Sequence, residues 1–205
     1  MRRIILLLVV GGIFLTDTLA QEIEIGGFYG YTFGSTVRTY YGDYKTSDGP
    51  NFGGHVGFGI APNTFVELTY NRFETDIKYS YGLNNQPVPL NTDYIQIGGV
   101  QQVEIGNPNI LPFGAVSLGT SVFTVKEAYG DLRSGSKWMM SATLAAGLKF
   151  HLGETLGLRL QARMGLPMYF NGLYLGTGGA GASLRVPMIQ FDFSAGVFLR
   201  LGGTA

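Results

Sequence analysis

The sequence of 205 residues has no cysteine, only two histidines and few charged side chains. Without cysteine the chain can form no disulfide framework, thiolate nucleophile or cysteine-ligated metal site. Charged residues make up 14% of the chain, whereas soluble domains average about 25%. The 14 basic and 14 acidic residues cancel, which argues against a nucleic-acid partner because such a partner requires a basic face. Since 45% of the residues are hydrophobic, disorder is disfavoured as well. The chain therefore folds, yet it carries little charge for a dissolved protein.

The N-terminus has the layout of a secretory signal. Met1–Arg3 is basic, an apolar run follows from Ile4 to Leu15, and Thr18–Ala20 offers small residues for cleavage. The apolar run is too short to span a bilayer as a helix, which disfavours the alternative of a membrane anchor. We therefore expect a signal peptide at 1–20 and one domain at 21–205.

Beyond residue 21 the dominant pattern is an alternation of apolar and polar residues. No uninterrupted apolar stretch of about 18 residues occurs there, so transmembrane helices are not expected. In 189–201, apolar residues such as Phe191 and Phe193 alternate with polar ones such as Asp192 and Ser194. Successive side chains of a strand point to opposite faces, so this period predicts a strand. The same pattern predicts eight strands, at 23–33, 52–60, 64–79, 92–105, 111–126, 138–152, 156–170 and 189–201.

Short and long connections alternate between these strands. The second, fourth and sixth strands are followed by tight turns of proline, asparagine and glycine, such as Ala61–Asn63. The other four connections are longer, at roughly 35–50, 80–91, 127–137 and 171–186. Because alternate connections of an up-and-down sheet lie at one end, three turns share one end and four long loops share the other. Membrane barrels have this asymmetry.

The composition of the polar face separates two kinds of barrel. In a soluble, lipocalin-like barrel this face meets water, whereas in a membrane barrel it lines the lumen. Here it is rich in Gly, Ser, Thr and Ala, which suit a narrow eight-stranded interior. It also lacks the density of Lys and Glu that a water-facing surface requires. The sequence therefore favours an all-β fold, an eight-stranded antiparallel up-and-down transmembrane β-barrel, over the soluble barrel.

The last strand carries a further feature. Gly196–Leu201 looks like the closing signal that the barrel-assembly machinery reads, and with the eight strands it makes 21–201 similar to the small outer-membrane barrels of the OmpA/OmpX kind. Members of that family usually end on an aromatic residue, whereas this chain has Leu201 followed by Gly202–Ala205. The resemblance implies a place in the bacterial outer membrane. Its implied partners are outer-membrane lipids and, during insertion, the barrel-assembly machinery.

The polar faces of the strands place equal numbers of opposite charges in the lumen. The acidic set is Glu24, Glu67, Glu104 and Asp192, and the basic set is Lys149, Arg159, Arg163 and Arg200. Strand positions predict that Arg163 pairs with Asp192 and that Glu24 pairs with Arg200. Lys149 and Arg159 are expected level with Glu67 and Glu104, across the lumen. Because unpaired buried charges are costly, we hypothesise a salt-bridged network that fills the barrel and blocks conduction. The alternative is an ion- or proton-conducting relay.

Candidate catalytic residues are few. His55 lies within the second strand and His151 near a turn, both at lumen-facing positions. A lone inward histidine is more often a hydrogen-bonded interior residue than a general base. No carboxylate or second histidine lies at a metal-ligand spacing from either one. We therefore expect no enzymatic activity, no cofactor and no metal.

Two loop segments carry further patterns. Gly176–Gly181 matches G-x-G-x-x-G, but a strand rather than a helix is predicted to follow, so we interpret it as a flexible loop and not as a dinucleotide site. Tyr40, Tyr41 and Tyr44 lie in the first long loop. Such tyrosines can bind an extracellular ligand or surface, or they can join residues such as Trp138 in an aromatic girdle.

The predicted function is a structural or interaction role, in which the barrel displays four extracellular loops above a non-conducting lumen. The alternatives are a narrow pore or transport accessory and, third, a lipid-modifying enzyme of the outer membrane.

Overall fold

The chain forms strands and turns in the part that the structure describes. A computed structural model describes residues 22–39, 42–79, 88–125, 135–176, 179–185 and 188–202. Within these ranges, the structure contains no helix that has the length and hydrophobicity needed to cross a membrane. The expected signal peptide at 1–20 lies outside the described residues.

Eleven strands are present in the described ranges. They are β1 (Ile23–Phe33), β2 (Thr36–Thr39), β3 (Gly42–Thr46), β4 (Gly49–Ala61), β5 (Thr64–Tyr79), β6 (Val88–Gln102), β7 (Ile110–Val125), β8 (Gly135–His151), β9 (Leu156–Gly176), β10 (Gly179–Arg185) and β11 (Gln190–Leu201). Eight of them correspond to the strands that the alternation predicts, with ends that differ by a few residues. The remaining three, β2, β3 and β10, fall within segments expected to be long connections.

The eight long strands close into an antiparallel barrel. Each pairs with its neighbours along the chain, and β1 pairs with both β4 and β11. The closing pair runs in continuous register from Ile23 opposite Leu201 to Phe33 opposite Phe191. Closure removes the free sheet edges, whose backbone groups would otherwise lack partners in lipid. The predicted fold class is confirmed.

Tight turns join the strands at one end of the barrel. Asn63 follows Pro62 and has φ 57°, a left-handed conformation that asparagine tolerates better than most residues. Gly106 has φ 86° in the turn after β6, where glycine avoids the steric penalty of a Cβ atom. The predicted short turns are thus present at the end where the chain also enters β1 and leaves β11.

At the opposite end, additional strands extend the barrel as two ribbons, one of which stays paired with a barrel strand. The pairing of β8 with β9 stops at Met140 opposite Met168, and β9 then continues paired with β10 up to Gly176 opposite Gly179. Gly176 and Gly179, which belong to the segment interpreted as a flexible glycine loop, are therefore paired residues of β9 and β10. At the other ribbon, β2 pairs with β3, which in turn pairs with the end of β5.

The two faces of the barrel wall differ as the alternation predicts. Outward side chains are apolar and exposed, including Leu118 at 58% and Val116 at 58%. Inward side chains are buried and largely polar, including Gln96 and Ser141 at 5% and 1%. This arrangement suits a barrel with lipid outside and hydrogen-bonding groups inside.

The lumen is less uniformly polar than the sequence indicates. Phe65, Val100 and Phe113 form a buried apolar cluster near the turn end. Phe113 is an apolar residue at a lumen-facing position of β7, where the alternation predicts a polar one. Its ring lies against Gly147 on β8, where a Cβ atom would come within 2.7 Å of the ring. Inward rings thus occupy space that neighbouring glycines leave free. This packing accounts for part of the excess of glycine.

Candidate functional site in the barrel lumen

An ion pair lies deep in the lumen near the turn end. Lys149 on β8 donates a hydrogen bond to Glu24 on β1, and both side chains are almost fully buried. The Lys149 Nζ atom lies 4.8 Å from the ring centroid of Phe65, 5.4 Å from that of Phe198 and 5.8 Å from that of Phe113. Aromatic faces attract cations, so the rings stabilise the ammonium while they exclude water from the pair.

A second pair crosses the lumen beside the first. The Arg159 guanidinium on β9 donates two hydrogen bonds to the Glu67 carboxylate on β5, of 2.5 and 3.2 Å. Thr69 donates a third bond to this carboxylate, of 3.0 Å. The Arg159 guanidinium carbon lies 4.5 Å from the ring centroid of Phe113. This bidentate pair therefore connects opposite walls of the barrel in a fixed orientation.

The third pair joins adjacent strands farther along the lumen. Arg163 on β9 donates through Nε to Asp192 on β11 over 2.8 Å. Its guanidinium carbon lies 4.5 Å from the ring centroid of Phe28. Each cation of the three pairs thus contacts one carboxylate and at least one aromatic ring.

A layer of neutral polar side chains surrounds the third pair, on the side of the turns as well as on the side of the long loops. Its members share direct side-chain hydrogen bonds: Tyr94 to Gln190, Gln96 to Ser141, Thr143 to Gln96, Asn51 to Thr32 and Gln161 to Ser194. Beyond them, toward the loops, Phe73, Val88 and Leu90 are buried at 1%, 4% and 3% exposure. The described lumen therefore has apolar side chains near both ends, alongside polar ones, and mainly polar side chains between them.

Two of the eight charges expected in the lumen lie elsewhere. Glu104 is exposed and accepts a hydrogen bond of 2.8 Å from Asn63. The reason is that β6 ends at Gln102, so strand alternation no longer determines where Glu104 points. Arg200 lies at the rim of the barrel, where it pairs with Glu22 at 3.4 Å instead of Glu24. Three acids and three bases, rather than four of each, meet in the interior.

Glu22 precedes β1 and lies at the same rim. Partial burial raises the pKa of its carboxyl group, while the positive charge of Arg200 opposes that rise. Glu22 could not be recognised from the sequence. It precedes the first strand, so no alternation indicates whether its side chain points into or out of the barrel.

The two histidines have different surroundings. His55 is 4% exposed and faces the lumen, where its ring stacks with that of Phe28 at a centroid distance of 6.4 Å. Its ring also lies against Gly26, where a Cβ atom would come within 2.5 Å. His151 lies at the turn end, with its Nδ1 atom 3.5 Å from an Arg200 nitrogen. Within the described ranges, no group of three or more acidic or histidine side chains is arranged to hold a metal ion.

The aromatic residues of the lumen were not predicted from the sequence. Phe28 has inward parity on β1, and it faces Gly53 and Gly196 on the two neighbouring strands. Phe198 likewise faces Gly157. The pattern that marks these lumen rings is an inward aromatic residue paired with a glycine on the neighbouring strand. This pattern can be recognised only when the register of the strands is known.

The tyrosines of the first long loop fall at the edge of what the structure describes. Tyr40 and Tyr41 lie outside the described residues. Tyr44 belongs to β3, where its backbone pairs with that of Tyr79.

Comparison with solved structures identifies barrels of the same architecture. OprG of Pseudomonas aeruginosa has a TM-score of 0.59 at 13% identity, over 90% of this chain and 97% of that one. Neisserial surface protein A has a TM-score of 0.55 at 12% identity, over 87% and 96%. Ail of Yersinia pestis, in complex with the heparin analogue sucrose octasulfate, has a TM-score of 0.51 at 13% identity, over 89% and 100%. At these identities the likeness shows a shared fold.

Sequence comparisons add a family assignment. A search of curated proteins found no match. A family model described as the outer membrane protein beta-barrel domain matches residues 5–185, most of the chain. The closed barrel, its apolar outer face and this match agree, and the chain therefore belongs to the outer membrane protein beta-barrel domain family, with its place in the bacterial outer membrane.

Proposed function

We propose that this protein is a non-conducting outer-membrane barrel that displays its extracellular ribbons and loops for an interaction. The observation that carries the proposal is a set of ion pairs that cross the described part of the lumen. Three buried ion pairs are matched in charge and packed against aromatic rings. In this family the short turns face the periplasm, so the ribbons and long loops face outward.

The dimensions of the lumen support the lack of conduction. An eight-stranded barrel is just wide enough for its interior to be filled by side chains. The cavity in the described part of the lumen that lies beside Arg163 and Asp192 has a volume of about 10 Å³, close to the space for one water molecule. A hydrated ion would have to displace the ion pairs, and separating a buried pair is costly.

The ribbons support the interaction role. The β9–β10 ribbon extends past the last pairing between β8 and β9, and the segment 169–185 contains one charged residue, Arg185. A ribbon of this composition has few charges to oppose contact with another surface. Ail, of similar fold, is known with a bound heparin analogue, so this architecture can present a ligand-binding surface. The interaction partner we propose is an extracellular ligand or surface.

The proposed partners in the cell envelope follow from the outer face and from the last strand. Outer-membrane lipids would contact the apolar belt, in which Leu118 and Ile97 are each 58% exposed. The barrel-assembly machinery would read β11, which ends at Leu201.

We also propose that the protein is not an enzyme. Neither ring nitrogen of His55 has a hydrogen-bond partner, and the Nδ1 atom of His151 lies beside an arginine, Arg200. A histidine acting as general base needs a hydrogen-bonded group that orients it and a substrate within reach. The buried position of His55 offers neither.

Conductance in planar bilayers tests the proposal. The refolded protein should show no steady conductance, whereas an ohmic current would overturn the non-conducting lumen and favour the narrow pore. The interaction role is tested separately with a variant in which 170–184 is replaced by a short turn. This variant should fold but lose adhesion of whole cells to glycan or protein-coated surfaces, and unchanged adhesion would contradict the role of the ribbon.

A further inference from the structure

A small cavity lies within the lumen, in the half nearer the long loops. Its volume is about 10 Å³, and its polar lining includes Asn71, Tyr94, Gln96, Arg163, Gln190 and Asp192. These residues come from β5, β6, β9 and β11. Thr32 of β1 and Thr143 of β8 also line the cavity, so six of the eight barrel strands contribute to it.

Three of the lining side chains have a polar atom without a protein partner. They are Oδ1 of Asn71, Nε2 of Gln190 and Nη2 of Arg163. The three residues are 5%, 2% and 7% exposed, so bulk water does not compensate for the missing hydrogen bonds. A buried polar atom without a partner destabilises the folded state, and native proteins commonly satisfy such atoms with an ordered water.

The chemistry of these atoms restricts the ligand. Nε2 of Gln190 and Nη2 of Arg163 can each donate a hydrogen bond, whereas Oδ1 of Asn71 can only accept one. An anion would face the Asp192 carboxylate and the Asn71 oxygen, and a cation would face the Arg163 guanidinium. A neutral molecule that both accepts and donates fits all three positions. The volume leaves room for one water molecule, which needs two to four polar partners.

We propose that this cavity binds a single long-lived water molecule. The water accepts hydrogen bonds from Gln190 and Arg163 and donates one to Asn71. It joins the third ion pair to the wall formed by β5, across the lumen from β9 and β11. The site does not depend on what the extracellular ribbons bind.

Nuclear magnetic resonance of the labelled full-length protein in lipid nanodiscs tests the proposal. Rotating-frame cross-relaxation between water and the side-chain amide protons of Gln190 and Asn71 distinguishes a bound water from proton exchange by its sign. In the wild type we expect dipolar cross peaks of a water that resides for longer than nanoseconds. Their absence, peaks with only the exchange sign, or a residence time typical of bulk water would overturn the proposal.

Two variants sharpen the result. Asn71→Leu removes the acceptor and fills the cavity, so the Gln190 cross peak should disappear. Gln161→Leu makes a similar change at a buried lumen residue whose amide bonds Ser194 instead, and it should leave that peak intact. A persistent Gln190 peak in Asn71→Leu contradicts the site. If Asn71→Leu does not fold, the wild-type spectrum decides by itself.

Discussion

The ring of Phe198 on β11 occupies the space that a side chain on Gly157 of β9 would need. A Cβ atom built on Gly157 would lie 2.3 Å from the Cζ atom of that ring. The two residues face each other in register, and Phe198 is 1% exposed. The Lys149 ammonium lies 5.4 Å from the centroid of the same ring.

Gly157→Ala should therefore destabilise the barrel by about 1–3 kcal/mol, the usual cost of overpacking a core. Urea unfolding followed by the fluorescence of Trp138, the single tryptophan, measures this change. Gly114→Ala is the matched control, because a Cβ atom at that strand position meets no other atom within 4 Å. Equal effects of the two substitutions would contradict the packing explanation.

Lys149→Met should destabilise the protein more strongly, by about 3–5 kcal/mol, because it leaves the Glu24 carboxylate buried without its partner. The double variant Lys149→Met with Glu24→Gln removes both charges and should regain much of the lost free energy of unfolding. The same urea titration, applied to wild type, Lys149→Met, Glu24→Gln and the double variant, gives a double-mutant cycle. A double variant no more stable than Lys149→Met would show that the ion pair is not the cause.

Glu67 and Glu104 should respond differently to the same substitution. Glu67→Gln leaves Arg159 without a charged partner in the lumen and should cost about 3–5 kcal/mol. Glu104→Gln alters an exposed turn residue and should change the free energy of unfolding by less than about 0.5 kcal/mol. Thermal shifts of the heat-modifiable band on gels give a second measure of both. Similar losses would mean that Glu104 also faces the lumen.

A charge on the outer face should cost most in the middle of the lipid belt. Leu118→Arg, in the middle of β7, should lower the free energy of unfolding in lipid vesicles by about 2–4 kcal/mol. Leu152→Arg places the same charge in the turn after β8, where residues lie near the interface, and should cost at most about 1 kcal/mol. Equal costs at the two positions would contradict the lipid-facing assignment of Leu118.

Much of the fold could be predicted because alternation along a strand is a local property. The residues of β11 show it directly, since Phe191 and Phe193 face outward while Asp192 and Ser194 face inward. The ribbon formed by β9 and β10 could not be predicted in the same way. Glycine weakens strand propensity, and the pairing of Gly176 with Gly179 depends on a hairpin that the sequence pattern does not mark.

The candidate site was predictable only in part. The alternation placed Glu24, Glu67, Asp192 and their three basic partners on the inward face, which follows from parity within each strand. Which charges pair could not be predicted in this way. Glu24 and Arg200 are opposite each other in the strand register, yet Glu24 accepts a hydrogen bond from Lys149 across the lumen. Long side chains in a narrow barrel can reach several walls, so adjacency along the sheet does not determine which charges meet.

The sequence by itself favoured a barrel with a lipid-facing exterior, because the low charge and the alternation along most strands suit an apolar face in lipid better than a polar face in water. The tertiary structure alone decided how the interior is filled. Which charges pair, which aromatic ring lies over which glycine, and where a cavity remains all depend on strands that are distant in sequence and opposite in space. Their register and the narrow closure of the sheet bring those side chains within reach of each other.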